Sequence, residues 1–212
     1  MCHNIIDGDG NLTGKTIIRG ENLGDAIMKE IDYKAKFLES ENIYLRPFIK
    51  EDIGFFTKWY NDFDTRSKIG AVDPTSSFEA EKIIERSDKG SVWFAVVKKS
   101  DNKVIGETGL LRMFPAWATT DLTIILPDKE DQHKGYGTET INLMMDYAFG
   151  YLNFNRISIG VVGFNDNALS FYKKVGFKQE GIQEEGYYYN YKYYDFVMMR
   201  ILKREFIELN KK

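Results

Sequence analysis

The sequence is short of several residue types, and each shortage excludes a class of protein. Only one cysteine, Cys2, occurs in 212 residues, so the chain cannot form an internal disulfide and we expect a reducing compartment. No apolar run reaches the roughly 20 residues of a membrane-spanning helix. The first residues also lack the basic-then-apolar pattern of a secretory signal. These absences predict a cytoplasmic protein with no membrane partner.

The sequence also has no large excess of positive or of negative residues. The 29 Lys and Arg residues are mixed with 32 Asp and Glu residues, which gives a net charge of −3. Because no basic stripe is present, we expect no nucleic-acid partner. A mildly acidic chain instead favours cationic small molecules or peptides. The length suits one domain with an extension.

Residues 1–42 differ from the rest and are interpreted as an N-terminal extension, a surface arm or the contact of a homodimer. They are polar and glycine-rich, with a short strand predicted at 16–18 and a helix near 25–38. The stretch from Asp7 begins like a calcium-binding loop, but Leu12 stands where that loop needs glycine. We expect no metal ion.

Residues 43–212 are assigned to one domain in which strands and helices alternate. The predicted strands cover 43–48, 91–97, 104–113, 119–126, 156–162, 177–182 and 191–203. The predicted helices cover 52–60, a helix from the Ser76–Glu79 capping box to Gly90, 136–150, and a helix from Asn165 to near Gly176. Residues 61–77 are predicted to be a loop. Strands that pair first with each other and then alternate with helices indicate a mixed α/β sheet.

The most informative motif joins the strand 119–126 to the helix 136–150. It reads Gln132-His133-Lys134-Gly135-Tyr136-Gly137, a Q-x-x-G-x-G loop. A strand that turns on glycines into a helix leaves the first N–H groups of the helix unpaired. These donors and the helix dipole favour a phosphate, and glycine at 135 and 137 lets an anion approach the backbone. The motif predicts a phosphate-binding loop.

A second motif follows the next strand. It runs Asn165-Asp166-Asn167-Ala168-Leu169-Ser170-Phe171-Tyr172 and ends at Gly176-Phe177. With both motifs in this order, residues 43–205 resemble the GNAT superfamily of acetyl-CoA-dependent N-acetyltransferases. Leu45-Arg46-Pro47-Phe48 with Asp52, and the closing Tyr194-Asp195, resemble the RimJ/RimL-type branch of that superfamily.

The resemblance implies a twisted mixed sheet, flanked by helices, that splays apart between two parallel strands, 119–126 and 156–162. Acetyl-CoA, the implied cosubstrate, would lie in the opening with its pyrophosphate on the glycine loop. The implied cofactor-binding residues are Ile124, Ile125, Leu126, Gln132, His133, Lys134, Gly135, Tyr136, Gly137, Thr138, Asn165 and Phe171. Asp128, Glu130 and Asp131 place negative charge beside this loop, and the nearby sequence offsets it only with Lys129, Lys134 and partly His133. That imbalance predicts modest cofactor affinity.

Two residues are the implied catalytic groups. Tyr172 matches the tyrosine that protonates the leaving thiolate in many relatives, and a phenol with a pKa near ~10 can serve a thiolate with a pKa near ~8.5. Asp121 matches an acidic residue that many relatives carry on this strand. It is the candidate base for an ammonium with a pKa near ~10.4. Glu107 on the neighbouring strand and a water relay are the alternatives.

The sequence does not name the acceptor, because one fold serves many amines. We expect direct attack on acetyl-CoA by a primary amine: a protein N-terminus, a polyamine, an amino-sugar antibiotic or another small amine. The first two helices, the loop 61–77 and the last strands are predicted to shape the acceptor site. The Tyr-rich run 184–194 offers carboxylates and ring faces for a cation, although it is equally typical of a packing or dimer surface. A non-catalytic acetyl-CoA-binding regulatory module is the alternative function.

Overall fold

The computed structural model describes residues 3–6, 12–17, 35–84 and 90–211. The chain divides into two compact units, Met1–Ala35 and Lys36–Lys212. In the first unit, strands β1 (His3–Ile6) and β2 (Leu12–Ile17) form an antiparallel pair. Thr16 and Ile17 of the strand predicted at 16–18 therefore belong to a longer strand, while residue 18 and most of the predicted helix 25–38 lie outside the described residues. None of the described helices is both long enough and apolar enough to cross a membrane.

The second unit contains an eight-stranded mixed sheet with helices, which confirms the predicted fold class. Its strands are β3 (Leu38–Glu39), β4 (Ile43–Arg46), β5 (Val92–Lys98), β6 (Val104–Phe114), β7 (Thr119–Ile125), β8 (Arg156–Val162), β9 (Lys178–Tyr189) and β10 (Lys192–Leu202). Its helices are α1 (Ile53–Tyr60), α2 (Phe63–Ile69), α3 (Ser77–Ile84), α4 (Tyr136–Asp146), α5 (Asp166–Lys174) and α6 (Lys203–Leu209). The spatial order is β3-β4-β5-β6-β7-β8-β10-β9. The sheet therefore begins at Leu38, inside the stretch assigned to the extension.

The sheet opens at its one parallel pair. Strands β7 and β8 are paired only from Thr119 opposite Arg156 to Asp121 opposite Ser158. Beyond that point β7 still pairs with β6 as far as Ile125, and β8 still pairs with β10 as far as Val162. The two central strands therefore part while each keeps its outer neighbour, and a cleft forms between them.

One face of the sheet carries the main core. Alternate residues of β8, such as Ile157 and Ile159, point to the face where Ile141, Met144 and Met145 of α4 are also buried. Each fully buried aliphatic side chain contributes about 1.5–3 kcal/mol relative to exposure. This packing fixes α4, and with it the loop that precedes α4.

The prediction of a loop over 61–77 is wrong, because this stretch contains helix α2. Asp62 caps the helix by accepting hydrogen bonds from the N–H and the hydroxyl of Thr65, at 2.9 and 2.8 Å. Gly70 ends it in the left-handed region, at φ 75°. An aspartate N-cap and a terminal glycine are sequence signals for the two ends of a helix. The helix was nevertheless missed, because it is only seven residues long and mostly polar.

The predicted capping box at the start of α3 is confirmed. The backbone N–H of Ser76 donates to the Glu79 carboxylate at 2.7 Å, and the N–H of Glu79 donates back to the Ser76 hydroxyl at 3.3 Å. The described helix ends at Ile84, and the segment between it and Gly90 lies outside the described residues.

Helix α4 is anchored at its first turn by Glu139. Its carboxylate accepts hydrogen bonds from the Ser40 hydroxyl at 2.6 Å, the Asn42 backbone N–H at 2.9 Å and the Asn42 amide at 2.8 Å. Burial alone would raise the pKa of Glu139, but the hydrogen bonds from Ser40 and Asn42 outweigh it and hold the pKa below its ordinary value of 4.5. The carboxylate thus ties the turn between β3 and β4 to the helix that follows the glycine loop.

We expect Glu139→Gln to lower the free energy of unfolding by about 1–2 kcal/mol at pH 7, because a charge-assisted acceptor of three hydrogen bonds is lost. Because the pKa of Glu139 is lower in the folded state than in the unfolded state, its carboxylate adds to the free energy of unfolding at pH values above 4.5. That contribution is lost as the pH falls below 4.5. The deficit of the variant should therefore shrink below pH 4.5 in urea unfolding measured across pH. Glu208→Gln, at an exposed position, is the control. A deficit independent of pH would contradict this account.

Candidate active site

The parted strands enclose a cleft with a volume of about 740 Å³. It is bordered by the ends of β7 and β8, the loop before α4 and the start of α5. Most of the predicted cofactor-binding residues line it: Ile124, Ile125, Leu126, Gln132, His133, Gly135, Gly137, Thr138, Asn165 and Phe171. The side chains of Lys134 and Tyr136 do not. Lys134 is exposed, and Tyr136 packs against the main core.

The glycine loop turns its backbone N–H groups outward. His133 and Gly135 both adopt left-handed backbone conformations, with φ 59° and φ 88°. No described residue accepts a hydrogen bond from the N–H groups of residues 133–138, and the first N–H to pair is that of Glu139, to the Gly135 carbonyl at 3.0 Å. Successive N–H groups in such a turn, at the start of a helix, form a concave anion site.

Gln132 has a different contact from the one that the motif suggests. Its side-chain amide donates to the Leu126 carbonyl at 3.0 Å, and its backbone N–H donates to the Lys129 carbonyl at 3.2 Å. The side chain therefore closes the loop back onto the end of β7. Direct contact of Gln132 with a ligand stays a prediction.

The acidic residues beside the loop are neutralised from a distant part of the sequence. The Lys103 ammonium lies 3.4 Å from Asp128, 2.9 Å from Glu130 and 3.6 Å from Asp131. Lys98 is also 3.6 Å from Asp131. The prediction of modest cofactor affinity considered only neighbouring lysines, whereas Lys103 and Lys98 offset part of this negative charge. The affinity itself stays a prediction.

Tyr172 has the properties of a proton donor. It lines the cleft from α5, is only 8% exposed, and packs its ring against Phe171 and Phe177 at centroid distances of 5.2 and 5.6 Å. No described residue forms a hydrogen bond with its hydroxyl. Burial raises the pKa of Tyr172 well above its ordinary value of 10, so the phenol keeps its proton at neutral pH.

Asn165 caps the same helix. Its side-chain oxygen accepts a hydrogen bond from the Ala168 N–H at 3.2 Å. Asn165 also lines the cleft. Since its side-chain oxygen is engaged in the cap, the NH₂ group of the amide is the part that remains for a ligand.

Neither candidate carboxylate base lines the cleft. Asp121 lies where β7 and β8 are still paired, and its carboxylate is engaged in an ion pair with Arg112. Glu107 is buried and accepts a hydrogen bond from the Tyr60 hydroxyl at 2.8 Å. The role of Asp121 stays a prediction that its position does not support, and the water relay is the alternative that the geometry favours.

Helix α2 and the last hairpin also line the cleft. Thr65, Lys68 and Ile69 line it from α2, and Tyr187 and Phe196 line it from β9 and β10. Sequence reasoning pointed to both segments without naming these residues. The cap of α2 was the signal that could have placed the first three.

The Tyr-rich run 184–194 contributes fewer residues to the cleft than its composition suggests. Of residues 184–194, all of which are described, only Tyr187 lines the cleft. Its hydroxyl donates to the Ser67 carbonyl at 2.5 Å and so joins β9 to α2. Glu184 and Glu185 are exposed, so the geometry does not support a cation held between them and the tyrosines.

The width of the cleft beside β8 depends on Gly160. A Cβ built at this position would stand 2.0 Å from Cε1 and 2.5 Å from Cζ of Phe196. The ring of Phe196 therefore lies directly over the glycine backbone, and both residues line the cleft.

Known proteins share this arrangement. A family model described as an acetyltransferase (GNAT) domain matches residues 45–198. The chain is 29% identical over 174 residues to a probable N-acetyltransferase, YjcK, of Bacillus subtilis (strain 168), covering 78% of this chain and 96% of that protein. It is 30% identical over 112 residues to the spermidine N(1)-acetyltransferase of Vibrio cholerae, covering 53% of this chain and 64% of that enzyme.

A solved structure agrees with the fold. The spermidine N-acetyltransferase from Vibrio cholerae, in complex with CoA and spermine, matches with a TM-score of 0.72 at 27% identity. The match covers 78% of this chain and 98% of that one. From the family match, the splayed sheet and the cleft with its glycine loop, we conclude that the chain belongs to the GNAT family of acetyltransferases.

Proposed function

We propose that this protein transfers the acetyl group of acetyl-CoA to a primary amine, and that a polyamine such as spermidine is the acceptor to test first. The observation that carries the proposal is the cleft between β7 and β8, which is bordered by the unpaired N–H groups of residues 133–138. A diphosphate is the ligand chemistry that such a row of donors favours.

The remaining surface of the cleft suits the arm of acetyl-CoA. Beyond Asp121, the edge of β7 that faces β8 has no strand partner. The amide groups of the pantetheine arm can pair with such an edge in the way that an added strand does. Ile124 and Leu126 at the end of β7 line the cleft, as do Phe171 and Asn165 of helix α5 and its cap.

Acetyl transfer then requires two proton movements. The neutral amine attacks the thioester carbonyl, a C–N bond forms, and the C–S bond breaks as the tetrahedral intermediate collapses. The proton lost by the amine passes to water or to a carboxylate, and the departing thiolate takes a proton from the Tyr172 hydroxyl. The position of Tyr172 supports the second step, because the residue lines the cleft and its hydroxyl has no hydrogen-bond partner among the described residues. Burial raises the pKa of Tyr172, so the phenol is in its protonated form before the reaction.

The polyamine acceptor is supported by the relatives. Three of the similar proteins are spermidine N(1)-acetyltransferases, and a similar solved structure is a spermidine N-acetyltransferase in complex with CoA and spermine. The acidic balance of the chain is consistent with a cationic substrate. A peptide N-terminus and an amino-sugar are the other acceptors for the test.

The assignment to the RimJ/RimL-type branch stays a prediction, as do the homodimer and the cytoplasmic location. Two of the residues that suggested the branch form a buried ion pair, Arg46 with Asp52 at 2.7 Å. This pair joins β4 to the turn before α1, so it has a structural explanation that does not depend on the branch.

Gly137→Val should weaken the binding of acetyl-CoA roughly tenfold or more, because a Cβ at 137 already stands 3.4 Å from Phe171 and 3.7 Å from Leu126, and a larger side chain would fill the space between loop and cofactor arm. The dissociation constant is measured by titration calorimetry. Gly54→Val, at an exposed glycine with open space around it, is the matched control. Unchanged affinity in Gly137→Val would remove the glycine loop from the donor site.

Tyr172→Phe should lower kcat roughly 100-fold or more, the range expected for loss of a general acid, while the dissociation constant of acetyl-CoA stays nearly the same. Tyr147→Phe is the control, since Tyr147 packs edge-on against Phe37 and Phe94 and does not line the cleft. Both constants are measured with the acceptor that gives the highest turnover. If kcat in Tyr172→Phe equals that of the wild type, another group protonates the thiolate.

Saturating acetyl-CoA should raise the unfolding temperature by several degrees, since ligand at about 100 times its dissociation constant adds roughly 2.7 kcal/mol. ATP is the control ligand. Thiol release is then followed with spermidine, spermine, a peptide with a free N-terminus and an aminoglycoside. Release with spermidine supports the proposal, whereas a shift without release from any amine supports a non-catalytic acetyl-CoA-binding module. An absent shift would contradict both.

A further inference from the structure

A cluster of charges beside the cleft has no part in the chemistry proposed above. Three carboxylates lie in and just before the turn Lys129–Asp131: those of Asp128, Glu130 and Asp131. One oxygen from each lies within 4.8 Å of the others. Carboxylates this close repel each other. The turn that carries them leads directly into the glycine loop, so the repulsion acts on the segment that positions the loop.

A single lysine contacts all three of them. The Lys103 ammonium is 2.9 Å from Glu130, 3.4 Å from Asp128 and 3.6 Å from Asp131. The hydrogen bond to Glu130 and the surrounding charges outweigh burial and raise the pKa of Lys103 well above its ordinary value of 10.5. The lysine is therefore charged throughout the physiological range of pH.

The lysine is held in place by its own hairpin. Its backbone carbonyl accepts a hydrogen bond from the Lys98 N–H at 2.9 Å, and its N–H donates to the Asp101 carboxylate at 3.1 Å. Lys103 thus stands at the turn between β5 and β6 and reaches across the sheet to the loop that follows β7. It connects two segments that are remote in the sequence.

Nearer lysines do not replace it. Lys129 is directed to Asp64, at 3.6 Å, and Lys134 has no ion pair among the residues that the structure describes. Lys98 contacts only Asp131 within the acidic cluster, and its closer partner is Asp101, at 3.0 Å. Asp131 itself is 2% exposed and lines the cleft, so its charge lies close to where a diphosphate would bind.

We propose that Lys103 is a positioning residue for the donor: it is the internal counter-cation that holds the turn 128–131 and offsets part of the negative charge that would otherwise repel the phosphates of acetyl-CoA. This inference rests on the proposed function, since it requires that the diphosphate binds the glycine loop. It assigns no contact between Lys103 and the donor.

Lys103→Met removes the charge and keeps much of the side chain's length. The dissociation constant for acetyl-CoA should rise roughly tenfold, equivalent to about 1.4 kcal/mol, while kcat at saturating donor stays close to that of the wild type. Lys103→Arg should keep wild-type affinity. Lys211→Met, at an exposed lysine without an ion pair among the described residues, is the charge-matched control.

Two further measurements distinguish the effect of removing the lysine's charge from the effect of a general loss of structure. Acetyl-pantetheine, a donor without phosphates, should have the same KM in the wild type and in Lys103→Met. Adding Asp128→Asn and Glu130→Gln to Lys103→Met should restore the affinity for acetyl-CoA, because the charge that needed compensation has been removed. Equal loss for both donors, or no restoration, would overturn the proposal.

A variant that leaves the lysine intact provides an independent test. Glu130 is 70% exposed at its side chain, so Glu130→Gln should fold normally and bind acetyl-CoA about threefold more tightly at low salt. Weaker or unchanged binding would contradict the proposal even if Lys103→Met failed to fold. A wild-type protein that does not bind acetyl-CoA would overturn the proposed function as well, whereas normal binding in Lys103→Met would overturn only the role of Lys103.

Discussion

The structure depends on the point at which β7 and β8 stop sharing hydrogen bonds. Up to Asp121 and Ser158 the strands are paired, and beyond them each strand keeps only its outer neighbour. Backbone groups along the two inner edges then need partners from outside the sheet. The cleft, the glycine loop at the end of β7 and the helix α5 after β8 all follow from that separation. In the proposed complex a peptide-like ligand arm would supply the missing partners, so the feature that weakens the sheet would also create its binding site.

The elements around the cleft that were predicted correctly were encoded over short stretches of sequence. The predicted strand 119–126 matches β7 (Thr119–Ile125), and the glycines of the loop before α4 identified the turn at which N–H groups remain free. Asn165 marked the start of α5 and brought Tyr172 to the cleft as a consequence of helical spacing. Such signals are readable because the geometry that they specify involves neighbouring residues only.

The parts that were missed depend on segments far apart in the chain. Lys103 compensates a loop more than twenty residues away, and no local pattern indicates that a turn beside β6 faces the loop after β7. Arg112 engages Asp121 across a strand pair, which changes what that carboxylate is available to do. Helix α2 was missed for another reason: its apolar residues are too few for a periodic pattern, and its position is set by Asp62, Gly70 and the contact of Ser67 with Tyr187.

The missing side chain at Gly160 defines how the cleft can change. Because the ring of Phe196 lies over that glycine, the two positions share one volume, and any atoms added at 160 must displace the ring. Both residues line the cleft, but neither belongs to the glycine loop, so moving side-chain volume between a β8 position and a β10 position would resize the cleft without altering the loop's N–H groups. The size of the cleft and the anion site at its loop are thereby separable by mutation.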